Sequence, residues 1–238
     1  MLFGFDDRLK PLKKDLKEAG ADMSVVKDWQ KTYDKVIRQS PQFESQYTQV
    51  KSELELVYKT LEGMEKLLIS SKEGMDLSKL EVRGQIAQFV KELKKYQGNF
   101  NHEFLISKED SEFHLTYATL LELCSKPLQG QGQVLILQSE VENLMALAKE
   151  ALEKNWPSFQ AMAFYYINRS DKEIFDLPHQ DKVAKVERVY ENEFIKPMQQ
   201  LLQECINCAP DKISILNGKK DLSVEAAVDY ILKEWIWE

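Results

Sequence analysis

The chain has 238 residues, 43% hydrophobic and 30% charged, with 39 acidic against 32 basic side chains and a formal net charge of −7. Only five of the basic residues are Arg (Arg8, Arg38, Arg83, Arg169 and Arg188). Arg supplies the planar fork that reads phosphate and base edges, so the composition argues against nucleic acid as a partner, and the net charge argues against general adsorption to an anionic bilayer.

Met1–Phe5 is apolar, but Asp6, Asp7, Arg8 and Lys10 follow at once, which leaves no hydrophobic region of secretory length. No run approaches 18 uncharged apolar residues, so no spanning helix is expected. Three cysteines, an odd number, suit reduced thiols better than a disulfide frame. The expectation is a soluble, cytoplasmic protein, in which the Asn168-Arg169-Ser170 sequon is a coincidence.

In chain order, Leu9, Leu12 and Leu16 share one side of a helix predicted over 8–19, ringed by Lys10, Lys13, Lys14 and Lys17. Such a stripe either docks on a bundle or lies in a membrane interface. Asp6, Asp7, Asp15 and Glu18 dilute the positive charge and favour docking, with a membrane contact through residues 1–17 kept as the alternative. The next helix, 23–39, carries Val26, Trp29, Tyr33 and Val36, and Pro41 is expected to break the chain after it.

The helix predicted over 42–71 has the clearest pattern. Phe43, Tyr47, Val50, Leu54, Val57, Leu61, Met64 and Leu68 are spaced 4,3,4,3,4,3,4, an unbroken coiled-coil seam. Glu55–Lys59 and Glu62–Lys66 have the spacing of favourable ion pairs on the outer side, and Leu56 and Leu67 lie off the seam, which suggests a second neighbour. Val82, Ile86, Phe89, Leu93 and Tyr96 repeat the spacing over 77–97, and the short connection predicts an antiparallel αα-hairpin over 42–97.

Ser107 and Asp110 form a capping pattern for a helix over 108–125 with Phe113, Tyr117, Leu120 and Cys124 inward. Pro127, Gly130 and Gly132 open a turn before 131–155, whose stripe is Val134, Leu137, Val141, Leu144, Ala148 and Ala151. Pro157 starts a short aromatic helix to 168. A long helix over 179–207 is expected to kink near Pro197. Ile213–Gly218 reads as a strand and turn, and a last helix covers 222–236. These segments fill about three quarters of the chain, against a base rate of about one third. The expected fold is an all-α, antiparallel multi-helix bundle of about eight or nine helices, with lobes over 1–100 and 101–238 packed as one unit.

The chemistry-bearing residues are sparse. Cys205-Ile-Asn-Cys208 lacks the second pair of ligands a zinc site needs, and it ends a helix, where the dipole disfavours thiolate. Cys124 and His114 lie ten residues apart on one predicted helix, about 15 Å, too far for a nucleophile–base pair. No Glu-x-x-His, phosphate-binding loop or nucleophile elbow occurs. No catalytic residue, metal ligand or cofactor is therefore assigned.

Aromatic residues carry the stronger signal. Trp156, Phe164 and Tyr165 belong to a cluster on a helix apolar all round, which is either central or covered by a partner. Val224, Val228, Ile231 and Trp235 form an inward stripe on the last helix, leaving Tyr230 and Trp237, with Lys233 beside them, on the other side. An exposed Tyr/Trp pair has the composition of an interface hot spot. The expected function is a non-enzymatic adaptor that binds another protein through these residues, ahead of a lipid-binding module or an enzyme built around Cys124.

Overall fold

A computed structural model of the chain describes residues 6–72, 80–96, 111–126, 130–169, 174, 177–219 and 221–237. Every regular element among them is helical, and no strand occurs among them. The α-helices are α1 (Asp6–Glu18), α2 (Met23–Lys72), α3 (Leu80–Tyr96), α4 (Ser111–Ser125), α5 (Gln131–Glu153), α6 (Phe159–Asn168), α7 (His179–Tyr190), α8 (Lys196–Cys208) and α9 (Val224–Ile231). Two π-helical segments, Glu191–Ile195 and Leu232–Trp237, follow α7 and α9 without a break. No helix among the described residues is long and apolar enough to cross a membrane.

The chain forms two compact units. One comprises Met1–Pro41, Pro157–Ser170 and Ala184–Glu238, the other Gln42–Trp156 and Asp171–Val183. This division differs from a cut near residue 100. Periodicity marks the face each helix buries but not the helix that covers it, and here late segments complete a core begun by early ones.

In the unit containing Gln42–Trp156, the seam of α2 is buried from Val50 to Leu68, while Tyr47 packs half-buried at its edge. All six residues of the α5 stripe are buried, as are Val82, Ile86 and Leu93 of α3 and Phe113, Tyr117 and Leu120 of α4. The α4 helix packs on both α3 and α5, and the Tyr117 hydroxyl donates to the Leu93 carbonyl of α3. Helices α2 and α3 approach closely, because a Cβ on Gly63 would lie 3.0 Å from the Phe89 ring. The connection of the expected hairpin, 73–79, and the Ser107/Asp110 cap lie outside the described residues. Leu67 packs on this core, whereas Leu56 is exposed. The ion pairs among the described residues include Lys14–Glu18, Lys126–Glu122 and Lys149–Glu153, and Glu55–Lys59 and Glu62–Lys66 are not among those. At solvated positions such pairs contribute little, and side-chain entropy competes with them.

Pro41 does not break the chain: α2 runs through it. A proline inside a helix withholds one N–H and crowds the preceding turn, costing about 3 kcal/mol. Val36 on one side and Val50 onward on the other are buried, so packing at both ends of α2 outweighs that local penalty.

In the unit containing Met1–Pro41, Leu9, Leu12 and Leu16 are buried, as are Val26, Trp29, Tyr33 and Val36. The buried Asp15 carboxylate accepts from the Ser214 backbone N–H at 2.8 Å and from its hydroxyl. Ile213–Gly218 is therefore no strand. Ile213 is fully buried, Ser214–Leu216 is a single 3₁₀ turn, and Gly218 closes it with a left-handed φ of +86°. With Asp15 taking its N–H, Ser214 needs no neighbouring strand.

Candidate functional site

The first π-segment has a visible cause. Pro197 cannot donate to the Glu193 carbonyl, and the helix widens one turn earlier, where the Lys196 N–H bonds Glu191 O, five residues back. In the last helix Ala227, Val228, Ile231, Leu232 and Ile236 are buried, and the Trp235 side chain lies outside the described residues.

Two donors from α2 meet these segments. The Trp29 indole N–H donates to the Phe194 carbonyl at 2.9 Å, and the Tyr33 hydroxyl donates to the Ile236 carbonyl. The two rings stack on each other at 5.1 Å between centroids, and Trp29 stacks on Phe194 at 4.9 Å. Phe164 and Tyr190 surround Phe194 at 5.1 and 5.4 Å, which makes a continuous aromatic core. Ser158 caps the start of α6 by accepting from the Ala161 N–H, so that helix begins two residues after Pro157.

Above this core lies a groove of about 520 Å³ that opens broadly to solvent. Tyr190, Ile195 and Leu232 supply its apolar surface, Gln160 and Gln199 its amides, and Glu191, Asp229 and Lys233 its charges. Ile195 and Leu232 are buried, whereas Glu191, Asp229 and Lys233 are exposed. Burial, then the nearby Glu187, Tyr33 and Glu191, push the Tyr190 phenol far above its ordinary range, so it is a neutral hydroxyl at physiological pH.

The sequence-selected residues separate. Lys233 lines the groove. Tyr230 is half-buried on the same helix, with the Lys219 ammonium 3.2 Å from its ring centre, so a cation already covers that face. The Trp237 side chain lies outside the described residues. Phe164 and Tyr165 are core, not surface; the central reading of the aromatic helix applies. Trp156 belongs to the other unit, half-buried against Tyr47 at 5.7 Å and edge-on to His179 at 4.5 Å. Spacing alone did not reveal Tyr190, Ile195 and Leu232 as groove residues. The signal that could have found them is Pro197, which forces an irregular turn just before it.

The thiols are free. Cys124 packs against the α2–α5 core, and burial pushes its pKa up to about 12, so almost no thiolate exists at neutral pH. Burial also raises Cys205, followed by the neighbouring Cys208 and Glu204. Among the described residues, no group of three or more His, Cys, Asp and Glu side chains is placed to hold a metal ion. No known protein family, curated protein or solved structure matches the chain, so the functional reading stands on its geometry.

Proposed function

We propose that the chain is a non-enzymatic interaction module whose Tyr190–Lys233 groove receives a segment of a partner protein. The partner segment carries a bulky apolar side chain next to a Lys or Arg. The observation that carries this reading is the groove's make-up: an apolar surface of Tyr190, Ile195 and Leu232, with carboxylates at Glu191 on the π-segment and Asp229 on α9. An aromatic and aliphatic centre inside a polar rim is the composition of a protein interface. Two carboxylates against the single ammonium of Lys233 favour a cationic flank on the partner.

The alternatives have less to use. A membrane contact through α1 needs Leu9, Leu12 and Leu16, and these are buried within the chain's own core. A nucleophile at Cys124 needs a thiolate, which burial suppresses.

Selection of a displayed peptide library on the purified chain tests the proposal. The expected consensus pairs a large apolar residue with Lys or Arg, and the double variant Glu191→Lys/Asp229→Lys weakens binding at least about tenfold, or about 1.4 kcal/mol. The exposed control Glu150→Lys leaves it unchanged. Peptides that bind the double variant as well as the parent, or a library that yields none, would overturn it.

A further inference from the structure

We infer that Trp29 and Tyr33 are positioning residues for the groove, each fixing one of its two π-segments through a hydrogen bond to a carbonyl within that segment; the inference rests on the groove being the docking surface. A π-turn replaces the regular i→i−4 ladder with i→i−5 bonds, and a buried side-chain donor to a carbonyl within it ties the turn to another helix. The Phe194 carbonyl, within Glu191–Ile195, accepts from the buried Trp29 indole N–H at 2.9 Å. The Ile236 carbonyl, within Leu232–Trp237, accepts from the buried Tyr33 hydroxyl. The donors are one helical turn apart on α2 and stacked face to face, so one rigid pair serves both segments.

The groove depends on both segments. Glu191 and Ile195 belong to the first, and Leu232 and Lys233 to the second. If a π-turn reverts to α, the residues beyond it rotate by about a third of a turn, since an α-helix advances roughly 100° per residue. Ile195, at the end of the first segment, and Gln199, beyond it, then turn away from the groove, while loss of the tie at Ile236 frees the segment that carries Leu232 and Lys233. Trp29 and Tyr33 do not line the groove, yet their donors hold the two segments that carry its side chains.

The test removes donors and keeps rings. Tyr33→Phe deletes the hydroxyl, and 3-benzothienylalanine in place of Trp29 keeps the fused ring without its N–H. Amide hydrogen exchange is read for Glu191–Gln199, Leu232–Trp237 and, as an internal control, α5. The expected result is faster exchange by about tenfold or more, at Glu191–Gln199 for the Trp29 replacement and at Leu232–Trp237 for Tyr33→Phe, with α5 unchanged. Binding of a library-selected peptide should weaken in both variants. Unchanged exchange at both segments overturns the inference, and so does loss of protection spread evenly over α8 and α9, the mark of a merely structural role. Localised exchange changes without any effect on peptide binding would retain the positioning role of the donors and refute the groove as the docking surface.

Discussion

Gly63 gives a quantitative test of how α2 meets α3. Gly63→Ala in mid-helix should add about 1 kcal/mol from backbone propensity. The new Cβ would lie 3.0 Å from Phe89 Cε1 and 3.2 Å from Cζ, so the ring must give by a few tenths of an ångström. Crowding of this kind costs about 1 kcal/mol at the low end of its range, because Phe89 is half-buried and its ring can swing. The two effects should nearly cancel, leaving Gly63→Ala within about 0.5 kcal/mol of the parent in urea unfolding. In a Phe89→Leu background the crowding disappears, and the same substitution should stabilise by about 1 kcal/mol, a coupling of similar size. An equal gain in both backgrounds would refute the close approach of α2 and α3.

Leu61→Ala, fully buried on the α2 seam, should cost about 2–5 kcal/mol by urea unfolding, while Leu56→Ala at 47% exposure should stay within about 0.5 kcal/mol. Asp15→Ala strips Ser214 of the acceptor for its N–H and should cost about 1–3 kcal/mol, with little further loss when Ser214→Ala is added. Cys124 should react with iodoacetamide far more slowly than the exposed Cys208 in the native protein, the difference vanishing in denaturant. The folded state holds the Cys124 proton to about pH 12, whereas the unfolded chain releases it near pH 9, so above pH 9 the native state binds more protons and stability should fall as pH rises. Cys124→Ala should flatten that fall in a series of thermal melts between pH 8 and 11.

The inward faces were largely legible because they depend only on spacing. The α5 stripe is buried residue for residue, and the α1 leucines and the α2 seam from Val50 follow the same rule. Spacing was less informative where a local preference met a stronger tertiary one. Pro41 calls for a break, yet buried residues on either side hold the helix through it. Pro197 calls for an interruption of the regular helix, and the chain takes it as a π-turn just before the proline. The same departure from α geometry explains why the groove was only partly visible. Extending α spacing to Trp237 puts Tyr230 and Trp237 on one face, whereas the chain after Ile231 is π-helical, with Ile236 buried and Leu232 and Lys233 lining the groove. Lys233 was identifiable as a surface charge on the last helix, but Tyr190 and Ile195 were not, because their place in the groove depends on packing between segments distant in sequence.

Methyl NMR titration with a library-selected peptide tests the docking surface most directly, using isotope-labelled isoleucine and leucine. Saturable shifts at the Ile195 and Leu232 methyls, with Ile86 and Leu115 of the other unit unmoved, are the expected result. Shifts at Ile86 or Leu115 with Ile195 and Leu232 unaffected would contradict the account.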